Sequence, residues 1–168
     1  FIPSDLSDEE LIHSTPTALS AARYLLAGAS IGDYALFAGG YTGSFHNTVD
    51  AYNASLTRST PAALSVARYL LAGASVGDYA LFAGGADNSD DYGTVDAYNT
   101  SLTRSTPTAL SVARREPAGA SVGDYALFAG GYDGSDYHNT VNAYDTSLTR
   151  STPTALSEGR DRLAGASV

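Results

Sequence analysis

Gly77-Asp78-Tyr79-Ala80-Leu81-Phe82-Ala83-Gly84-Gly85 is the stretch on which the fold turns, because it stands unchanged at Gly32 to Gly40 and again at Gly123 to Gly131. Tyr79 to Ala83 is apolar on both faces, as a strand must be when it is sandwiched between neighbouring sheets. Gly77-Asp78 before it is a two-residue pair suited to a primed hairpin turn. The stretch across that turn, Leu71-Ala72-Gly73-Ala74-Ser75-Val76, is short and built of small residues, which predicts a tightly packed inner strand. Gly84-Gly85 ends the apolar strand where bare backbone allows positive φ or the close approach of another chain segment. After a polar connection from Ala86 to Gly93, Thr94-Val95-Asp96-Ala97-Tyr98 alternates like a half-buried strand. Ser101-Leu102-Thr103-Arg104 leads to a fourth, outer strand, and Ser105-Thr106-Pro107 punctuates its end.

This unit recurs with a period of about 46 residues, marked by Ser-Thr-Pro at Ser14, Ser59, Ser105 and Ser151. One repeat domain, 1–168, follows: repeats at 14–58, 59–104 and 105–150, with partial units at 1–13 and 151–168. Four short strands per unit and a period of this length predict an all-β chain of four-stranded antiparallel propeller blades, each unable to bury its faces alone. Asp5 to Ser14 aligns with Asp50 to Ser59, so the chain is expected to start within a third strand. Leu163 to Val168 is expected to be a first strand without its partner. The chain supplies about 3.7 repeats. A finished ring of four to eight blades therefore implies either a longer protein or copies that assemble, two of which give material for seven or eight blades.

The units resemble kelch repeats, which carry a paired glycine after an apolar strand, a tyrosine on the third strand, a tryptophan, and an arginine before the next blade. The matching residues are Gly39-Gly40, Tyr52 and Arg68, then Gly84-Gly85, Tyr98 and Arg114, then Gly130-Gly131, Tyr144 and Arg160. The chain has no tryptophan, and Leu56, Leu102 and Leu148 sit nearest its place. The resemblance covers Ser14 to the C-terminus and implies a kelch-like β-propeller, a fold often used as a binding platform.

Composition removes several functions. There is no cysteine, hence no disulfide, thiolate metal site or cysteine nucleophile. Nine arginines and no lysine stand against 18 acidic residues, a net charge of -9, so the basic stripe that nucleic acid requires is missing. No apolar run is long enough to span a bilayer as a helix. Asp33, Asp78 and Asp124 recur in turns, where their role is structural. Asp50 and Asp96 are matched by Asn142, an exchange open to a hydrogen-bonding position but not to a general acid or base. Arg23, Arg68, Arg114 and Arg160 are expected to bond carbonyls or to pair with acids between blades. His13, His46 and His138 have no metal-ligand spacing. Asp87 to Gly93 lacks the order of a calcium loop, and Gly39 to Gly43 lacks the helix start of a phosphate loop. Asn53-Ala54-Ser55 and Asn99-Thr100-Ser101 fit the glycosylation pattern by composition alone. Neither a metal nor a cofactor is expected.

Differences between repeats point to a surface. Tyr69-Leu70-Leu71 stands against Arg115-Glu116-Pro117, and Ala86 to Gly93 against Tyr132 to Asn139. In an up-and-down blade, the approach to strand one and the link from strand two to strand three lie at the same end. That end gathers Tyr24, Tyr41, His46, Tyr69, Asp90, Tyr92, Arg115, Tyr132, Asp136, Tyr137 and His138. Tyrosine with Asp, Asn, Ser and Gly is the composition of adaptable recognition loops, and it also suits sugars. Neutral drift in exposed loops after duplication accounts for the same variation.

The expected function is therefore a non-catalytic recognition module for a protein or glycan, in a secreted, cell-surface or virion setting. A self-assembling structural repeat protein is the alternative. An enzyme is the further rival: the kelch copper oxidases need cysteine and the sialidase-like propellers tryptophan, both absent, which leaves a sugar epimerase or lyase. A funnel gathering His, Asp or Arg from unlike positions would mark one.

Overall fold

Two-residue turns, paired glycines and apolar pentads fold as their spacing dictates. The computed structural model describes residues 15–167, and its regular elements are all strands, in three four-stranded antiparallel sheets. The first sheet runs β1 (Ala27–Ile31), β2 (Tyr34–Ala38), β3 (Val49–Tyr52) and β4 (Arg58–Ser59). The second is β5 (Ala72–Val76), β6 (Tyr79–Ala83), β7 (Val95–Asn99) and β8 (Arg104–Ser105). The third is β9 (Ala118–Val122), β10 (Tyr125–Ala129), β11 (Val141–Tyr144) and β12 (Arg150–Ser151). The expectations for Asp5 to Ser14, the 1–13 partial unit and His13 lie outside the described residues.

Each inner hairpin closes through its Gly-Asp pair, with Ile31 opposite Tyr34, Val76 opposite Tyr79 and Val122 opposite Tyr125. Gly32, Gly77 and Gly123 hold φ of 50, 48 and 50°, the positive value that a primed turn needs at its first central residue.

The two-sided apolar strand is sandwiched as its sequence predicts. Phe82 and Ala80 point back onto Leu36, Ala38, Val49 and Ala51 of the first sheet. Leu81 and Ala83 point forward to meet Ala126, Phe128 and Tyr144 of the third. Burying a side chain such as Phe82 completely contributes about 1.5–3 kcal/mol. The inner strands approach still more closely: a Cβ on Gly73 would overlap the Gly28 carbonyl, and one on Gly119 would overlap that of Gly73. Serines stitch the same strands together, the Ser75 amide donating to Ser121 Oγ at 2.9 Å and the Ser121 amide to Ser167 Oγ at 3.0 Å.

The paired glycines join one unit to the next. Gly40, Gly85 and Gly131 donate their amides to the carbonyls of Arg68, Arg114 and Arg160 at 2.9, 3.0 and 2.8 Å. A Cβ on Gly39, Gly84 or Gly130 would lie 2.6 Å from those same carbonyls, so no side chain fits there. The third-strand tyrosines tie down the linker that leads into each sheet. Tyr52, Tyr98 and Tyr144 donate their hydroxyls to the carbonyls of Thr17, Ala62 and Thr108 at 2.6, 2.7 and 2.7 Å. Their rings meet Phe37, Phe82 and Phe128 edge-on.

Leu102 and Leu148, nearest the place of the kelch tryptophan, pack against the cores between sheets. Leu56, at the outer side of the first sheet, stays 45% exposed. All three are left-handed, at φ of 58, 58 and 62°.

Candidate functional site

Most polar side chains that recur in the sequence are consumed by the frame. Arg23 pairs with Asp50 at 2.8 Å and Arg68 with Asp96 at 3.0 Å, every partner fully buried. Each arginine also donates to a carbonyl of its own second strand: Arg23 to Phe37, Arg68 to Phe82 and Arg114 to Phe128, all at 3.1 Å. The acid thus lies in the arginine's own sheet, and it is the arginine backbone that bridges to the preceding one. Burial pushes the Asp50 carboxyl up, but the bonds from Arg23 and Ser20 outweigh it and leave it below the usual range. In the third sheet Arg114 meets Asn142 at 3.1 Å instead of a carboxylate. Burial beside that neutral partner brings Arg114 down to about 10, still protonated at neutral pH.

The sequons also have a structural explanation. Asn53 Oδ1 accepts the amides of Ser55 and Thr57, Asn99 Oδ1 those of Ser101 and Thr103, and Asp145 Oδ1 those of Ser147 and Thr149. An acceptor is what the turn needs, and Asn and Asp both supply one.

The variable stretches come together at one edge, as the up-and-down strand order requires. Backbone bridges pair Tyr24 with Tyr41, Tyr69 with Ala86, and Arg115 with Tyr132. The next residues, Leu25, Leu70 and Glu116, are held left-handed at φ of 57, 56 and 56°. Their backbones chain across the units, the Leu70 amide donating to the Leu25 carbonyl at 3.0 Å and the Glu116 amide to that of Leu70 at 2.8 Å. Such a conformation costs a non-glycine residue about 1–2 kcal/mol, so the neighbouring units must impose it.

At the first junction the edge is aromatic. Tyr41 lies 5.7 Å from Tyr24, 5.1 Å from Phe45 and 5.9 Å from Tyr69, with Phe45 and Tyr69 5.4 Å apart. At the second it is charged: Arg115 pairs with Asp91 at 3.0 Å, and its guanidinium sits 5.0 Å over the Tyr132 ring. Tyr137 stacks on Tyr132 with centroids 4.9 Å apart. Burial pushes the Asp91 carboxyl up in spite of Arg115. Tyr24 at 56% and Tyr137 at 60% exposure offer ring faces to solvent.

His46, Tyr92 and His138 occupy equivalent positions, and each pins its own loop. Thr42 Oγ1 meets His46 Nε2 at 2.8 Å, Tyr92 OH donates to Asp87 Oδ2 at 2.7 Å, and His138 Nε2 meets Asp133 Oδ2 at 3.0 Å. The bond to Asp87 pushes the Tyr92 phenol up to about 12. Amides of Asp136 and Ser135 hold the Asp133 carboxyl down at about 2, with a smaller contribution from His138. Asp90 and Asp136 sit at exposed loop tips, their amides bound to Asp87 and Asp133.

The edge therefore unites Tyr24, Tyr41 and Tyr69 at one junction and Arg115, Tyr132 and Tyr137 at the other, while His46, Tyr92 and His138 stand behind as loop pins. Sequence reasoning missed Phe45 and Asp91. Both align with Tyr137, one position before the loop pin, but the first loop is one residue shorter and hides the match.

Where the inner strands begin, a cavity of about 630 Å³ opens, lined chiefly by Leu25, Leu26, Leu70, Leu71 and Leu163, with Glu116 and Arg162 at its margin. Beside it a polar cleft of about 440 Å³ brings Asp87, Arg115, Glu116, Asp161 and Arg162 together with Tyr69, Tyr132 and Tyr137. Among the described residues no three His, Cys, Asp or Glu side chains converge as metal ligands. Nor, among the described residues, is any helix long and apolar enough to cross a membrane. No protein-family model matches the chain, and no match was found among curated proteins.

Proposed function

We propose that the chain is a kelch-type β-propeller, or an arc of one, that recognises a protein or a glycan through its variable edge without catalysing a reaction. One observation carries this reading. The two stretches in which the units differ most share one surface and leave tyrosine rings open to solvent, whereas the paired glycines, second-strand phenylalanines and third-strand tyrosines that recur unchanged are locked into sheets and linkers. Exposed tyrosines beside Asp and Asn provide flat apolar area and hydrogen-bonding groups together. The kelch assignment draws support from the paired glycines and third-strand tyrosines, each with a repeated structural task.

The lysine-free composition, rich in Tyr, Thr, Ser and Gly, favours a secreted, cell-surface or virion setting. A longer chain or two assembled copies would each supply the units that a closed ring needs.

The test is a screen of the full chain against glycan and protein arrays, repeated with Tyr24→Ser and Tyr137→Ser. Both side chains are largely solvent-exposed, so the variants keep the wild-type fold, checked by circular dichroism. Binding that drops about 10-fold or more in either variant supports the edge as the site, a loss typical of an exposed aromatic anchor. Ligands bound equally by wild type and both variants overturn it.

A further inference from the structure

The two junctions on the variable edge differ in the space they leave. At the first, Tyr41, Phe45 and Tyr69 fill it, with ring centroids no more than 5.9 Å apart. At the second, the polar cleft of about 440 Å³ stays open, its walls combining the Tyr132 and Tyr137 rings with Arg115, Glu116, Asp161 and Arg162. That volume falls within the ~300–1,000 Å³ of small-molecule sites. A Cβ on Gly159 would overlap the Tyr137 carbonyl, so the segment that carries Asp161 and Arg162 is seated directly against the loop that presents this ring.

The charges that line the cleft are matched. Arg115 pairs with Asp91 at 3.0 Å, and Arg162 with Glu116 at 3.2 Å and Asp161 at 3.8 Å. Arg115 bonds Asp91 through Nη1 and Arg162 bonds Glu116 through Nε, so each guanidinium keeps N–H groups without a partner among the described residues. The carboxylates keep acceptor capacity as well, because an ionised carboxylate offers about four lone-pair sites. A cationic ligand would face both arginines, and an anionic one the carboxylates, so either would have to break a pair to enter. A neutral polyol meets neither obstacle: one hydroxyl donates to a carboxylate while its neighbour accepts from a guanidinium. Tyr137, 60% exposed and stacked on Tyr132 with centroids 4.9 Å apart, adds a ring face for an apolar C–H surface.

We propose that the cleft binds a neutral pyranose sugar. Its C–H face lies on Tyr137, and its hydroxyls are shared between the Arg115 and Arg162 guanidiniums and the Glu116 and Asp161 carboxylates. The inference rests on the recognition reading of the variable edge and narrows it, selecting glycan over protein and the second junction over the first.

The probes are the methyl glycosides of glucose, galactose and mannose, titrated into the isotope-labelled full chain and followed by amide NMR shifts. At least one is expected to saturate in the millimolar range, moving the amides of Arg115, Glu116, Tyr137 and Arg162. Tyr137→Ser is expected to weaken it ~10-fold or more, as for an exposed aromatic anchor. Arg162→Ala is expected to weaken it ~5-fold or more, as for a lost hydrogen bond from a charged donor. Both side chains are exposed, so the variants keep the wild-type melting curve, while Tyr24→Ser at the first junction leaves sugar affinity unchanged. Glucosamine and glucuronic acid, the cationic and anionic counterparts, are expected to bind more weakly than methyl glucoside. No saturation by any of the three glycosides at hundreds of millimolar, tighter binding of either charged sugar, or an affinity unchanged by Tyr137→Ser would each overturn the inference. A protein ligand lost with Tyr24→Ser or Tyr137→Ser, with no sugar bound, would overturn the sugar site and leave the recognition reading standing. Ligands bound equally by wild type and both variants would overturn the two together.

Discussion

Tyr69 and Arg115 occupy the same position in successive units and do different work. Tyr69 closes an aromatic cluster with Tyr41 and Phe45; Arg115 makes an ion pair with Asp91 and lies over Tyr132. The partner has changed along with the residue, since Phe45 and Asp91 are themselves equivalent. Behind both junctions the frame stays the same, from the glycine amides on arginine carbonyls to the phenylalanines between sheets. Variation at this edge is therefore not wholly free: a change on one unit is answered on the next. Tyr24 and Tyr137 lie outside the answered pairs and keep more than half of their surface open to solvent.

The hardest way to break the comparison is to attack the frame. Asp96→Ala leaves Arg68 buried and unpaired and is expected to cost about 3–5 kcal/mol in urea unfolding. Asp96→Asn copies the arrangement at Asn142 and is expected to cost clearly less, because an acceptor remains. Equal losses for both variants would mean that charge, rather than hydrogen bonding, holds the site.

Next in size, Gly84→Ala sets a Cβ 2.6 Å from the Arg114 carbonyl at a φ of 69°. A loss of about 2–4 kcal/mol is expected, combining a steric clash with left-handed strain. Gly43→Ala, also at positive φ but with open space around it, is expected to lose only about 1 kcal/mol. Thermal melts of the two variants separate unit-to-unit packing from backbone strain.

The junctions themselves give a smaller, more informative effect. Tyr69→Arg alone should destabilise the first junction, and adding Phe45→Asp should restore part of the loss, with a coupling energy of about 0.5–1.5 kcal/mol in a double-mutant cycle. Additive effects would show that the two positions do not answer each other.

The smallest effect concerns acid. Asp133 has its folded pKa held at about 2 by the Asp136 and Ser135 amides, below the ~3.9 of an unfolded aspartate. Its contribution is present above about pH 4 and fades as pH falls toward 2. Asp133→Asn keeps the acceptor oxygen but cannot titrate, so its urea midpoint should fall less than wild type over that range.

Much of the frame was legible because local chemistry dictates it. A Gly-Asp pair makes a primed turn, a two-sided apolar pentad needs a sheet on either side, and Ala-Gly-Ala-Ser fits only a close-packed inner strand. The edge was legible as a place, through the variation of Tyr69 to Leu71 and Ala86 to Gly93 and their counterparts, but not as a set of pairs. Phe45 with Tyr69, and Asp91 with Arg115, belong to different units, and nothing in one unit's spacing reveals a contact with the next. The left-handed Leu25, Leu70 and Glu116 were equally silent, because glycine is the usual signal for that conformation and the chain places other residues there.

Among the described residues the extensive contacts between sheets run in sequence order, the first meeting the second and the second the third. Each linker is held at two points, by a tyrosine of its own sheet and by a loop of the sheet before it. Pulled from its ends, such a chain should yield in steps rather than all at once. Each released unit of about 46 residues adds about 150 Å of slack, at ~3.4 Å per extended residue. That stepwise give would let the chain bear a sudden load by shedding one unit while the others hold their shape.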